Sequence, residues 1–246
     1  MNLKEYLGQW SKMKVLIKGP TGCGKTVLAT MATQVWKTLY IDVEGGAMSG
    51  RKCIKEENID IKPIREPDTK VFFEKLADHI AEAESGKYEC VVVDSLSFIG
   101  GRMEDEYASK SDTGKLEFGD WSGLLSRIKR LCHRLHNMDC HTIVTSLTKP
   151  TGKEDSSAIF EPAFSGQSAA FVPSMFDTVG LVRRVTIKSK SSYSFTTDGP
   201  SIFQVRDRTR ILAPDEDIDE SNPGEIWRKL SNGISNMSMG KEGKKK

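Results

Sequence analysis

No stretch of this chain stays apolar for the ~20 residues that a membrane-spanning helix needs, and nothing at Met1-Asn2-Leu3-Lys4 has the form of a signal peptide. No membrane partner and a cytoplasmic location are therefore expected. Cysteine is scarce and unpaired: five residues, an odd number, are scattered at positions 23, 53, 90, 132 and 140. That pattern excludes a disulfide frame and suits reduced thiols. Cys132, His133, His136, Cys140 and His141 do cluster in sequence. Yet Cys132 falls on the apolar face of a helix, His133 falls on its polar face, and Cys140 and His141 open a strand, so convergence on tetrahedral zinc is not expected. Excess charge is missing too. With 36 basic against 34 acidic residues the net charge is +2, not the strongly basic signature of a dedicated nucleic-acid coat. No internal repeat is present. A length of 246 residues with 37% hydrophobic content suits one α/β domain.

Against these absences stands one dense signal. Gly19-Pro20-Thr21-Gly22-Cys23-Gly24-Lys25-Thr26 satisfies G-x-x-x-x-G-K-[ST], a loop that cradles phosphates. Before it, Met13-Lys14-Val15-Leu16-Ile17-Lys18 is strand-like; after it, Val27-Leu28-Ala29-Thr30-Met31-Ala32 favours helix. Strand, glycine loop and helix N-terminus in that order form an anion site, with backbone N–H groups converging on the phosphates. Lys25 is placed to reach the β- and γ-phosphates of ATP, and Thr26 to offer its hydroxyl to Mg²⁺.

Hydrolysis also needs acids, to hold the metal and to orient water. Cys90-Val91-Val92-Val93-Asp94-Ser95 is an apolar run ending in an acid, the look of a buried parallel strand whose carboxyl end faces a ligand. Asp94 is the expected Mg²⁺ holder, directly or through water. A second strand, Thr38-Leu39-Tyr40-Ile41-Asp42-Val43-Glu44, ends before Gly45-Gly46. Glu44 there would polarise the attacking water. Asp42 competes for the role, since alternation puts both acids on one side of the strand.

Along the rest of the chain, strands and helices alternate as in a mainly parallel twisted sheet with helices on both faces. Asp68 is a helix cap. The helix from about Asp120 to Asn137 carries Leu124, Ile128, Leu131 and Leu135 on one face and Arg127, Lys129, Arg130 and Arg134 on the other, which reads as a solvated basic face. Late in the chain, Phe176 to Thr186, Tyr193 to Thr197 and Ser201 to Arg208 are strand-like, suggesting antiparallel hairpins. Asn222-Pro223-Gly224-Glu225 opens a short helix through Leu230. The expected organisation is an N-terminal segment 1–12, an ATPase domain 13–233 and a disordered tail 234–246.

These residues resemble the RecA-type recombinase core, from about residue 13 to about 212. Ile41-Asp42-Val43-Glu44 resembles the family's aspartate-x-glutamate strand end, and Val91-Val92-Val93-Asp94-Ser95 its Walker B strand. His141-Thr142-Ile143-Val144-Thr145-Ser146 resembles the next strand, and Phe164-Ser165-Gly166-Gln167-Ser168 through Asp177-Thr178-Val179 the exit from the second DNA-binding loop. Gln204-Val205-Arg206-Asp207-Arg208 resembles the late strand whose basic residues reach a neighbouring subunit's nucleotide. Without the extra domains of cellular recombinases, the compact form is similar to phage-encoded Sak-type single-strand annealing ATPases.

The resemblance implies an ATP-dependent single-stranded-DNA-binding protein in the host cytoplasm. It would form a ring or filament and hydrolyse ATP between subunits, with Lys25, Glu44 and Asp94 from one and Arg206 or Arg208 from the next. It also allows a single-stranded-DNA-binding protein as partner. A nucleotide-gated mediator and a hexameric helicase motor remain alternatives. The family's glutamine after the strand ending near Ser146 is missing here, so Ser146 or Thr148 would substitute. The DNA would lie on two long polar loops, about Gly100 to Asp120 and about Thr148 to Ala170. Both are net acidic, which opposes phosphate affinity. Phe160, Phe164 and Phe171 are placed to stack on bases or, as buried aromatics commonly do, to anchor the loop.

Overall fold

Val91-Val92-Val93 is an unbroken apolar run because helices cover both of its faces. The computed structural model, which describes residues 11–151, 159–164, 166–187 and 190–238, places this run in β4 (Cys90–Asp94). The described strands form one sheet in the order β10 (Asp215–Asp217), β8 (Lys190–Thr196), β7 (Thr178–Ile187), β1 (Lys14–Gly19), β5 (His141–Thr151), β4, β2 (Thr38–Asp42) and β3 (Ile59–Pro63). From β7 to β3 the neighbours run parallel, while β8 and β10 add antiparallel strands at the other edge. This is the expected architecture, a mainly parallel sheet flanked by helices and finished by C-terminal antiparallel strands. Two further strands lie off that path: β6 (Ile159–Pro162) folds back on the far end of β5, and β9 (Arg206–Asp207) pairs with the start of β7.

Alternation along the strands divides the interior into two cores. Leu16, Leu39, Ile41, Val91 and Val93 face one side, where α2 (Thr69–Ala83), α3 (Leu96–Ala108), α4 (Asp120–His136) and α5 (Ser168–Ser174) supply residues such as Phe72, Ile99, Ile128 and Val172. Val15, Ile17, Tyr40 and Val92 face the other, with Leu28 of α1 (Lys25–Thr30) and Trp227 and Leu230 of α6 (Glu225–Ser238). Each such side chain contributes roughly 1.5–3 kcal/mol when fully buried. Asp68 caps α2 through the Val71 amide at 2.9 Å, as its position in the sequence suggests. Trp227 is fully buried and its indole N–H donates to the Leu28 carbonyl at 2.9 Å, fastening α6 to α1.

Three expectations about the chain's irregular parts are corrected. The stretch from Gly100 to Asp120 is not one long loop, because α3 continues to Ala108. Gly100 weakens a helix in isolation, but a side chain there would meet the Phe164 ring at 3.2 Å, so the glycine is what lets α3 pack. The stretch from Thr148 to Ala170 is largely a hairpin of β5 with β6 followed by α5; residues 152–158 lie outside the described set. The helix opened at Glu225 does not stop at Leu230 but runs to Ser238, so the boundary expected at residue 233 falls inside it. Residues 1–10 and 239–246 lie outside the described residues.

Much of the basic face of α4 is engaged within the chain, while Arg130 stays exposed. Arg127 pairs with Glu106 at 2.6 Å and lies over the Phe73 ring, and Arg134 pairs with Glu84 at 2.7 Å. Phe164 is buried and Phe171 is partly buried under Lys129, so both anchor rather than present themselves to bases. Among the described residues no helix is long and apolar enough to cross a membrane.

The cysteine–histidine cluster disperses. Cys132 sits in the core, His136 bonds the Met175 carbonyl, and His141 stacks on Trp36 at 4.4 Å while accepting from the Met13 amide at 3.2 Å. Burial, then the charges of Lys12 and Lys14, lower the His141 imidazole from 6.5 to about 3. The folded chain therefore keeps this ring neutral where the unfolded chain takes up a proton. Its contribution is complete above about pH 6.5 and is lost as pH falls towards 3, by up to about 1.4 kcal/mol per pH unit. Urea unfolding at pH 7 and pH 5 checks this: the wild type should weaken on acidification, and His141→Gln should lose that part of the slope.

Candidate functional site

The glycine loop begins where β1 ends. Gly24, at φ 100° and ψ 13°, takes the left-handed turn that starts α1, a conformation costly for any other residue. At Gly19 an added Cβ would lie 2.7 Å from the Val182 carbonyl, so only glycine admits β7 this close. Thr21, Gly22, Gly24, Lys25 and Thr26 line a cavity of about 410 Å³. Lys25 bonds the carbonyls of Gly19 and Pro20 at 3.0 and 2.8 Å, across the loop it belongs to. Cys23 turns into the core instead; burial pushes its thiol up, so it contributes packing and a backbone amide.

Across the cavity stands Asp94, at the end of β4 and 2% exposed. Three hydroxyls hold its carboxylate: Thr26 at 2.8 Å, Tyr40 at 2.6 Å, and Thr145 on the other oxygen. The sheet order explains this convergence, because β5, which carries Thr145, lies between the loop strand β1 and β4. Burial and the adjacent carboxylate push the Tyr40 phenol far above its ordinary range, so it remains a donor. Thr26 and Asp94 thus meet as two hard oxygens 2.8 Å apart. Neighbouring ligands in an Mg²⁺ octahedron at 2.0–2.1 Å are separated by about 2.9 Å, so the pair fits the ion. Tyr40 was not anticipated from the sequence. The signal was there: a phenol in an otherwise apolar buried strand must find a hydrogen-bond partner.

The turn that follows β2 gives Asp42 and Glu44 different surroundings. Asp42 is 3% exposed and accepts from the amides of Gly45, Gly46 and Ala47 at 2.7, 3.1 and 3.3 Å. Arg65 seals it, with one nitrogen 3.1 Å from the Asp42 carboxylate and the other 2.7 Å from its carbonyl. Asp42 therefore builds the turn. Glu44 lies beyond the last strand residue, so strand alternation does not govern it; it is exposed, lines the cavity and accepts from the Ser95 hydroxyl.

Ser146, one of the two residues expected to replace the missing glutamine, is fully buried and its hydroxyl bonds the Leu147 carbonyl; Leu147 itself lines the cavity. Val27, Tyr193 and Ile218 line the cavity too and give it an apolar wall. Arg206 and Arg208 are not brought to it. In β9 Arg206 lies opposite Val179, and Arg208, one residue past that strand, donates its amide to the Asp177 carbonyl; both are level with the start of β1, whereas the loop follows its end. The Arg206 guanidinium bonds the carbonyls of Pro173 and Phe176, capping α5. Arg208 bonds the Ser174 carbonyl at 3.3 Å and lies 3.9 Å from Asp177, with 43% of its side chain exposed.

The AAA domain model AAA_24 matches residues 11–219. Among solved structures, the chain is similar to a KaiC-like protein from the hyperthermophilic archaeon Pyrococcus horikoshii. The identity is 16%, the match covers 75% of this chain and 77% of that one, and the TM-score is 0.43, a likeness of general outline. No protein of curated function matches the sequence.

Proposed function

The chain belongs to the AAA domain family, and on that premise we propose that it hydrolyses ATP with Mg²⁺ at subunit interfaces of a ring or filament on single-stranded DNA, as a compact recombination or annealing ATPase. The observation that carries the catalytic part is the meeting of Thr26 and Asp94 at 2.8 Å beneath a cavity that Lys25 and Glu44 also line. Lys25 and the loop amides bind the phosphates. Thr26 and Asp94 hold the metal, which supplies charge neutralisation. Glu44 takes a proton from a water that attacks the γ-phosphorus as the bond to the β-phosphate oxygen breaks, giving ADP and phosphate.

Support for assembly comes from the late arginines. Arg208 lies beside Asp177, roughly 16 Å of strand from its own phosphate loop, which favours a role at another copy's site. Arg206, tied to the end of α5, is a poorer finger than the half-exposed Arg208. Support for DNA rests on the sequence resemblance and on the β5–β6 hairpin that leaves the cavity wall at Leu147.

Turnover measured across protein concentrations, with and without single-stranded DNA, tests the reading. DNA should raise turnover, and Arg208→Ala should lower it only where the protein is assembled. Hydrolysis by a monomer, indifferent to DNA and to Arg208→Ala, would favour a nucleotide-gated mediator.

A further inference from the structure

A line of hydrogen bonds leads from Glu44 out of the cavity, and its direction is fixed by its ends. Glu44 accepts from the Ser95 hydroxyl. The Ser95 and Ser97 oxygens lie 3.1 Å apart, and the Leu147 amide donates to Ser97 at 2.9 Å. A carboxylate only accepts and an amide N–H only donates. Since the Ser95 proton is committed to Glu44, Ser97 must donate to Ser95. Both hydroxyls therefore point towards the glutamate, and each bond polarises the next.

The far end of this line is a structural joint. Leu147 is the last β5 residue paired with β1, opposite Gly19; the next residue, Thr148, pairs with Pro162 of β6. The Leu147 carbonyl accepts from Ala163 at 2.7 Å, so the backbone N–H and C=O of this one residue link the serine line to the root of the hairpin. At the near end, the Phe98 amide at 3.3 Å holds Ser95 as the cap of α3.

We propose that Ser97 is a positioning residue: through Ser95 it holds Glu44 for hydrolysis, and through Leu147 it makes the root of the β5–β6 hairpin sense the state of that carboxylate. The inference rests on the ATPase reading above. When Glu44 takes a proton, the acceptor that orders both hydroxyls is altered, and the tether on the Leu147 amide loosens with it.

The test compares wild type, Ser97→Ala and Ser97→Thr for steady-state ATP turnover, binding of a non-hydrolysable ATP analogue, and hydrogen exchange in peptides covering residues 145–151. Ser97→Ala should lower kcat about tenfold with unchanged analogue affinity, the mark of an interaction used in the transition state. Exchange near Leu147 should become faster and stop responding to the analogue. Ser97→Thr, which keeps a hydroxyl, should recover most of both. Should Ser97→Ala fail to fold, Ser97→Cys serves in its place, because a thiol fills the site but donates weakly. Full turnover in Ser97→Ala, or a loss confined to nucleotide affinity, overturns the relay alone. A folded wild-type chain that retains no nucleotide overturns the ATPase reading and the relay with it.

Discussion

Lys25→Ala is expected to reduce ATP turnover by roughly 10²–10³-fold or more, the scale of losing a preorganised group that faces charge developing in the transition state. The fold should survive. Among the described residues, the Lys25 ammonium bonds only the carbonyls of Gly19 and Pro20, in its own loop at the cavity edge. Phosphate-release assays and binding of a fluorescent ATP analogue should both collapse, while the far-ultraviolet circular dichroism spectrum and the urea midpoint stay near wild type. A folded Lys25→Ala protein that still turned over ATP at the parental rate would remove this cavity from the chemistry.

Glu44→Gln should behave differently, losing about 10²–10⁴-fold in kcat, the range for a positioned general base, while keeping nucleotide affinity. The amide oxygen of glutamine still accepts from Ser95, as a weaker, neutral acceptor, so the turn is preserved, the serine line loosens as it does on protonation, and the capacity to take a proton is lost. Asp42→Ala provides the contrast. Its three amide partners and Arg65 would lose their acceptor, so the protein should be less stable and the turn disordered, with turnover falling as a consequence of geometry. Single-turnover rates with saturating ATP separate the two: normal loading with slow cleavage for Glu44→Gln, weakened folding for Asp42→Ala. Normal single-turnover cleavage by Glu44→Gln would return the role of base to another group.

The parts of the site legible in the sequence were those where spacing along one strand or loop determines chemistry. The octapeptide from Gly19 to Thr26 and the acid closing an apolar run at Asp94 are local patterns, and the sheet brings them to one cavity. What was not legible depends on neighbours far along the chain. Asp42 and Glu44 look equivalent by alternation; only the turn around Gly45, sealed by Arg65 from the next strand's end, separates their roles. Tyr40 and Thr145 join the site because β2 and β5 flank β4, a matter of strand order rather than of composition. Glycine bears on two of the corrected boundaries. Gly100 and Gly233 weaken a helical reading, yet each is a point of close packing, against Phe164 in one case and Ile211 in the other, and tertiary contact outweighs their low propensity.

The bond between the Trp227 indole and the Leu28 carbonyl also bears on where this protein can be cut. The stretch shared with the family stops at residue 219, ahead of the last helix. A fragment trimmed there would bare the underside of the phosphate-gripping segment, including Leu28 and Met31, and leave Trp36 without its indole neighbour. The stretch matched to the family thus leaves out a helix that packs beneath the phosphate loop.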